Sequence, residues 1–337
     1  MNSNNSSMNP TDEDSIVFTV VFPMLYSLIF VVGLILNSLA AWIFFQLKNS
    51  SSFIFYLKNI TVADLVMTLT FPFSIISESG LGPWQLSAFV CRYSAVIFYA
   101  NMYISIIFLG LISLDRYLKI VKPFGDSKMY NITFTKFMAV GVWLGIIFLS
   151  LPNTILTNKA PTSENARYCS RLKSEFGITW HAVVSYCNIC IFIVVLIILV
   201  ASYISIYKHI HKSNEQFVCT AQKSSKSNQN IYIVLVVFFI CFVPYHLWRI
   251  PFTLSQIDKH FDKQGEDILM YGKKVTLFMS ACNVCLDPVI YFLMCKSFTR
   301  KLLKKLHLEQ NSSLNDSRQS TRRTQVRRFR EHTSAKE

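Results

Sequence analysis

Three basic residues and a set of polar partners stand where they could take hold of an anion. Arg249 follows Pro244 by five residues, Lys273 sits beside Lys274, and Lys173 precedes a long apolar run. Guanidinium offers a planar fork of donors that matches phosphate, and an ammonium adds a movable point charge. Tyr99 and Tyr103 are four residues apart, which places them on one face of a helix. Asn153 and His181 lie near the ends of other apolar runs. Together these groups would surround an anion and stack an apolar or aromatic part of it on the tyrosines. The plainer alternative is a solvated basic rim.

A second set lies within apolar sequence. Asp64 and Asp287, with Asn37 and Asn283, would form one polar cluster, around a cation such as sodium or as static hydrogen-bonded glue. A third set is Asp115-Arg116-Tyr117, where an Asp next to an Arg can hold it at a helix end. No nucleophile–base pair appears. Cys282 and Cys285 are three apart but lack a second Cys or His pair, so no metal site is expected near them. The residues point to binding, with no catalysis and no cofactor.

These residues need apolar elements to position them. Hydrophobic residues make up 52% of the chain and charged residues 15%, too few charges for a soluble domain of this length. Seven stretches are long enough to cross a bilayer, at about 17–46, 53–79, 89–121, 134–156, 179–210, 229–255 and 269–294. The expected fold is all-α, a seven-transmembrane helix bundle over 17–295. Residues 296–308 carry Phe298, Leu302, Leu303 and Leu306 among basic residues, the pattern of a short amphipathic helix on a membrane surface. The remainder, 309–337, reads as a disordered cytoplasmic tail. Pro72, Pro152, Pro244, Pro251 and Pro288 mark places where helices bend.

Charge sets the orientation. Connectors after the first, third and fifth stretches hold Lys48, Lys122, Lys128, Lys212, Lys223 and Lys226, whereas the alternate connectors hold Glu164, Asp258, Asp262 and Glu266. The positive-inside rule puts residues 1–16 outside the cell and the tail inside, in the plasma membrane. Met1–Ser15 is polar without a basic n-region, so the first stretch is expected to stay as an anchor. Asn4 and Asn5 begin outer glycosylation sequons. The net charge of +14 owes much to twelve Lys and Arg after Cys295, which suits an inner membrane face better than nucleic acid.

The order Asn37, Asp64, Cys91, Asp115-Arg116-Tyr117, Trp143, Cys169, Phe242-Val243-Pro244 and Asp287-Pro288-Val289-Ile290-Tyr291 resembles the rhodopsin-like receptor family over about 20–300. Phe-Tyr-Leu-Lys-Asn-Ile, Leu-Lys-Ser-Glu-Phe-Gly and Phe-Val-Pro-Tyr-His-Leu-Trp-Arg-Ile-Pro-Phe-Thr-Leu-Ser-Gln look like the ADP and UDP-sugar purinoceptor subgroup. The resemblance implies a Cys91–Cys169 disulfide and nucleotide contacts at Arg249, Lys273, Tyr99, Tyr103, Asn153, His181 and Gln256. It also implies a switch built on Asp115, Arg116, Tyr117, Tyr203, Phe242, Pro244, Asp287, Pro288 and Tyr291. The partners implied are a heterotrimeric G protein of the Gi class, arrestin and receptor kinases. Four positions depart from the subgroup: Ser87, Ser185, Phe252 and Lys274 replace a common Arg, Asn, Tyr and Glu. Contacts to a nucleoside are thinner while the cations remain, so a lysophospholipid stays open beside nucleotides and nucleotide sugars. The alternative class is a transporter or channel for a small anion; those proteins often show internal repeats, and none is found.

Overall fold

The computed structural model describes residues 17–47, 51–122, 131–163, 165–166, 169–216, 232–257 and 263–305. Asn4, Asn5 and the tail beyond 305 lie outside the described residues. Seven helical spans are long and apolar enough to cross a membrane: Thr19–Phe45, Ser52–Glu78, Trp84–Val121, Ile132–Leu156, Glu175–Lys212, Ile233–Ser255 and Ile268–Met294. They are numbered spans 1 to 7 below. A helix satisfies its own backbone groups, which is why such apolar sequence folds this way in lipid.

Span 3 is the hub. Of its apolar window 67% is buried inside the bundle, against 17% for span 4, so span 4 is peripheral. Met102, Ile106, Phe108 and Ile112 on span 3 are fully buried. At Gly110 an added Cβ would meet Val195 Cγ1 at 2.9 Å, so spans 3 and 5 approach closely where a small residue permits it.

Two spans are broken, and side chains add hydrogen bonds to backbone carbonyls near the proline in each. Span 2 consists of Ser52–Thr68 and Phe71–Glu78 rather than one helix over 53–79. Pro72 has no N–H and its ring crowds the carbonyl four residues back. Thr70 Oγ1 donates to the Met67 carbonyl (2.6 Å) and Ser94 Oγ donates to the Thr70 carbonyl (3.1 Å). Span 7 is likewise made of two helices, Lys263–Ala281, which starts before the span, and Asn283–Met294, joined at Cys282. Pro288 leaves the Val284 carbonyl without its helical donor, and Asn37 Nδ2 supplies one at 2.6 Å.

Other boundaries differ from the hydropathy limits. Span 3 begins at Trp84 instead of 89, directly after extended Pro83. The helix of span 4 begins at Ile132, where Asn131 Oδ1 accepts from the Thr133 amide at 2.8 Å. The helix of span 5 runs Glu175–Gln216, through polar sequence at both ends. That of span 6 starts at Ile233, four residues later than expected; residues 229–231 are outside the described set.

After span 7 a further helix covers 296–305. Phe298 is buried against Phe44, with ring centroids 4.9 Å apart. Lys301 Nζ donates to the Gln46 carbonyl (2.7 Å), and Lys305 Nζ lies 3.6 Å from the Trp42 ring centroid. The basic side chains thus lash this helix to the end of span 1.

Candidate functional site

One end of the bundle carries the Cys91–Cys169 disulfide (Cα–Cα 5.1 Å), which fastens the segment between spans 4 and 5 to span 3. Beneath it is a cavity of about 230 Å³. Seven of the eight expected ligand residues line it: Arg249, Lys273, Lys173, Tyr99, Tyr103, Asn153 and His181. Gln256 stands at the end of the helix of span 6, and its side chain lies outside the described residues.

Asn153 organises one wall. Its Oδ1 accepts from Lys173 Nζ (3.2 Å) and faces His181 Nδ1 (3.3 Å). That carbonyl oxygen can only accept, so His181 carries its proton on Nδ1 and leaves Nε2 to accept from Arg249 Nη2 at 3.2 Å. The same Nη2 donates to Ser185 Oγ at 3.0 Å. Arg249 is buried, and its guanidinium carbon lies 5.9 Å and 5.7 Å from the Tyr99 and Phe252 ring centroids. Lys273 Nζ lies 4.4 Å from the Phe252 centroid. None of the three cations forms an ion pair with a carboxylate among the described residues. Burial pushes the Lys173 ammonium down to about 8, with the charge of Arg249 adding to the effect.

His246, which holds the site residue Tyr103 from behind, is a positioning residue that sequence reasoning missed. It is buried, stacks on Phe192 (centroids 3.7 Å) and sits at 3.0 Å from the Tyr103 hydroxyl through Nε2. Its Nδ1 faces the Phe242 carbonyl at 2.8 Å and must donate to it, so Nε2 accepts from Tyr103. Tyr103 is therefore tied to span 6 from within the bundle. The departures fall unevenly. Ser185 and Phe252 contact Arg249, whereas Ser87 faces Ser77 at 2.9 Å.

Deeper in the bundle the second set is brought together. Tyr291 Oη donates to Asp64 Oδ2 (3.3 Å), and Asn283 Nδ2 donates to Asp287 Oδ2 (3.5 Å). Asn37, Asp64, Asn283 and Asp287 are all fully buried. The Oδ1 atoms of all four accept no hydrogen bond. Among the described residues no group of three His, Cys, Asp or Glu side chains suits a metal.

At the opposite end, Asp115 does not hold Arg116. Asp115 Oδ1 pairs with Lys119 Nζ at 2.7 Å, one helical turn on. The Arg116 guanidinium instead lies 3.6 Å over the Phe53 ring, and its Nε has no hydrogen-bond partner. A side chain in a helix reaches its neighbours at i+3 and i+4 but not at i+1, and Lys119 holds that favoured position. Tyr117 is half-buried and Tyr203 is buried with an unpartnered hydroxyl. Phe242 and Tyr291 are fully buried, while Pro244 and Pro288 lie inside their helices.

A mouth of unpaired cations, a buried carboxylate layer and an Asp-Arg-Tyr end on seven spans define a membrane receptor. Residues 36–291 match the family model described as 7 transmembrane receptor (rhodopsin family), and the chain belongs to that family. It is thus a G-protein-coupled receptor for a small molecule, and not an enzyme. Among individual proteins it is similar to mouse G-protein coupled receptor 87, 56% identical over 94% of this chain and 88% of the relative. It is also similar to bovine purinoceptor 14 (47%, 88% of each chain) and human purinoceptor 13 (44%, 86% of this chain and 82% of the relative).

Proposed function

We propose that this receptor senses an extracellular phosphate-bearing ligand, a nucleotide, nucleotide sugar or lysophospholipid, and activates a G protein of the Gi class. One observation carries the reading: Arg249, Lys173 and Lys273 converge on one cavity without a carboxylate partner among the described residues. Arg249 and Lys173 are buried and Lys273 is half-buried, and the one carboxylate among the described residues whose charge reaches them, Glu78, acts on Lys273, so the set keeps an excess of positive charge that suits an anion from outside. The purinoceptors among the relatives support a nucleotide, and their names supply the class of ligand. The cavity, about 230 Å³, is below the ~300–1,000 Å³ of ligand pockets in general, which suits a compact charged headgroup with the rest of the ligand nearer the opening.

The disulfide end faces outward in this reading, in keeping with the loop charges and with disulfides persisting in oxidising compartments. The four unpaired Oδ1 oxygens of Asn37, Asp64, Asn283 and Asp287 suit a sodium ion near Asp64. Ligand binding favours a state in which span 6 swings about Pro244 and Arg116 leaves Phe53. Arrestin and receptor kinases would then act on the tail.

The test is GTP exchange on Gi and on other G proteins, with a panel of nucleotides, nucleotide sugars and lysophospholipids, for wild type and Arg249→Ala. Losing charge-assisted hydrogen bonds worth ~1.5–3 kcal/mol should reduce potency roughly 10–100-fold. A potent ligand indifferent to Arg249→Ala would sink the anion-site reading.

A further inference from the structure

Arg249 and Lys273 sit on neighbouring spans with like charge. Something other than charge must hold spans 6 and 7 together beside them. Trp248 directly precedes Arg249, and Gly272 directly precedes Lys273. A Cβ built at Gly272 would overlap Cε2, Cζ2 and Nε1 of Trp248, so the indole occupies the space that any side chain at 272 would need. The indole Nε1–H donates to the Leu269 carbonyl at 2.9 Å, one turn earlier on span 7. Phe252, one turn after Trp248 on span 6, is buried beneath the Lys273 ammonium and also faces Arg249. Nearer the middle of the membrane the seam closes again, where Ser280 Oγ donates to the Cys241 carbonyl at 2.8 Å.

We infer that Trp248 and Gly272 are positioning residues that clasp spans 6 and 7, so that Arg249 and Lys273 form one preset anion clamp. Resting on the phosphate-ligand reading, the inference adds that the spacing of the two cations is built before ligand arrives. Without the clasp the cations would separate, and a phosphate would have to gather them at a cost in affinity. The upper part of span 6, fastened to span 7, would stay in place while the part beyond Pro244 moves.

Two measurements on the full-length receptor in lipid nanodiscs test this. Nitroxides carried by encoded keto amino acids at Leu254 and Val275, both exposed on the outside of the bundle, report the distance between spans 6 and 7 without ligand. Inorganic pyrophosphate serves as the anion probe, and its affinity is read from the rise in unfolding midpoint. Trp248→Phe keeps a ring but loses the N–H, and should widen the distance distribution and weaken pyrophosphate roughly ten-fold. Gly272→Ala should do the same in the wild-type background. In a Trp248→Ala background, where the indole is gone, adding Gly272→Ala should change neither measurement further.

Unchanged distances in the single variants overturn the inference whatever pyrophosphate does. So does an equal Gly272→Ala effect in both backgrounds, since the loss would then not run through Trp248. Widened distances with wild-type pyrophosphate affinity overturn it too, reducing the clasp to a structural contact. A wild type that binds no pyrophosphate overturns both the clamp and the phosphate reading, whereas a failure in distances alone leaves that reading standing.

Discussion

The mouth and the middle of this bundle are electrostatic opposites. At the mouth Arg249, Lys173 and Lys273 line a cavity with no carboxylate paired to them among the described residues. In the middle Asp64 and Asp287 are fully buried and no Lys or Arg pairs with them among the described residues. Both layers draw on span 7, through Lys273 and Asp287, yet the charges are kept apart. The tail end differs from both, because Asp115 and Lys119 neutralise each other and Arg116 rests on Phe53. A buried charge left uncompensated by its own chain is costly unless something else compensates it. In the proposed reading these two layers are the ones that take outside ions, an anion above and a cation below.

The largest effect expected separates those two layers. Arg249→Ala should lower ligand potency in GTP exchange by roughly 10–100-fold. Asp64→Asn should shift that potency by less than about three-fold but remove the effect of sodium on basal exchange, as seen by replacing sodium with choline. Equal losses of potency in both variants would mean one coupled site and end the comparison.

The next effect belongs to Lys173, which sharpens the mouth. Its ammonium is held down to about 8 by burial and then by Arg249. The cation is present below that value and lost above it, and a phosphate favours the cation. Potency should fall roughly three- to ten-fold as pH rises from 7 to 9, over a range where a phosphate monoester stays ionised. Lys173→Arg, charged throughout, should flatten the pH profile; a wild-type profile that is already flat contradicts the assignment.

The tail end should respond more weakly. Phe53→Leu removes the ring beneath Arg116, a contact worth ~0.5–2 kcal/mol, and should raise basal exchange by roughly two- to ten-fold. Smallest of all is Lys119→Ala. A pair between the partly exposed Lys119 and the buried Asp115 contributes about 1 kcal/mol, so the unfolding midpoint should fall by about 2–4 °C. A larger fall would show that this layer is not self-contained.

Much of this was legible in the sequence, for physical reasons. Apolar length alone gives the seven spans, and polar residues within apolar runs announce Asp64 and Asp287. The mouth residues were legible as a group because cations, tyrosines and an Asn–His pair all fall near the ends of apolar runs on one side. His246 was hidden, since a lone His amid Phe242, Val243 and Leu247 reads as part of a wall. Its role depends on Tyr103, 143 positions away in the chain. The resting place of Arg116 was misread for the same reason, because Phe53 is a neighbour only in the fold. Pro72 signalled a bend in span 2, but hydropathy cannot place the break at Leu69 and Thr70. The ends of span 5 escaped because its helix continues into polar residues at both ends, beyond the apolar window.

The disulfide does more than fasten one segment of chain. Lys173 lies four residues beyond Cys169 and two before the helix of span 5, so its backbone is tethered on both sides and stays within about 14 Å of the bond. A cation on so short a leash is present at millimolar effective concentration or above, even when it has let go of a bound phosphate. Recapture then competes with escape each time the contact opens. Cutting the Cys91–Cys169 bond would leave Lys173 tethered from span 5 alone, so in the proposed reading a ligand would leave sooner while arriving about as fast.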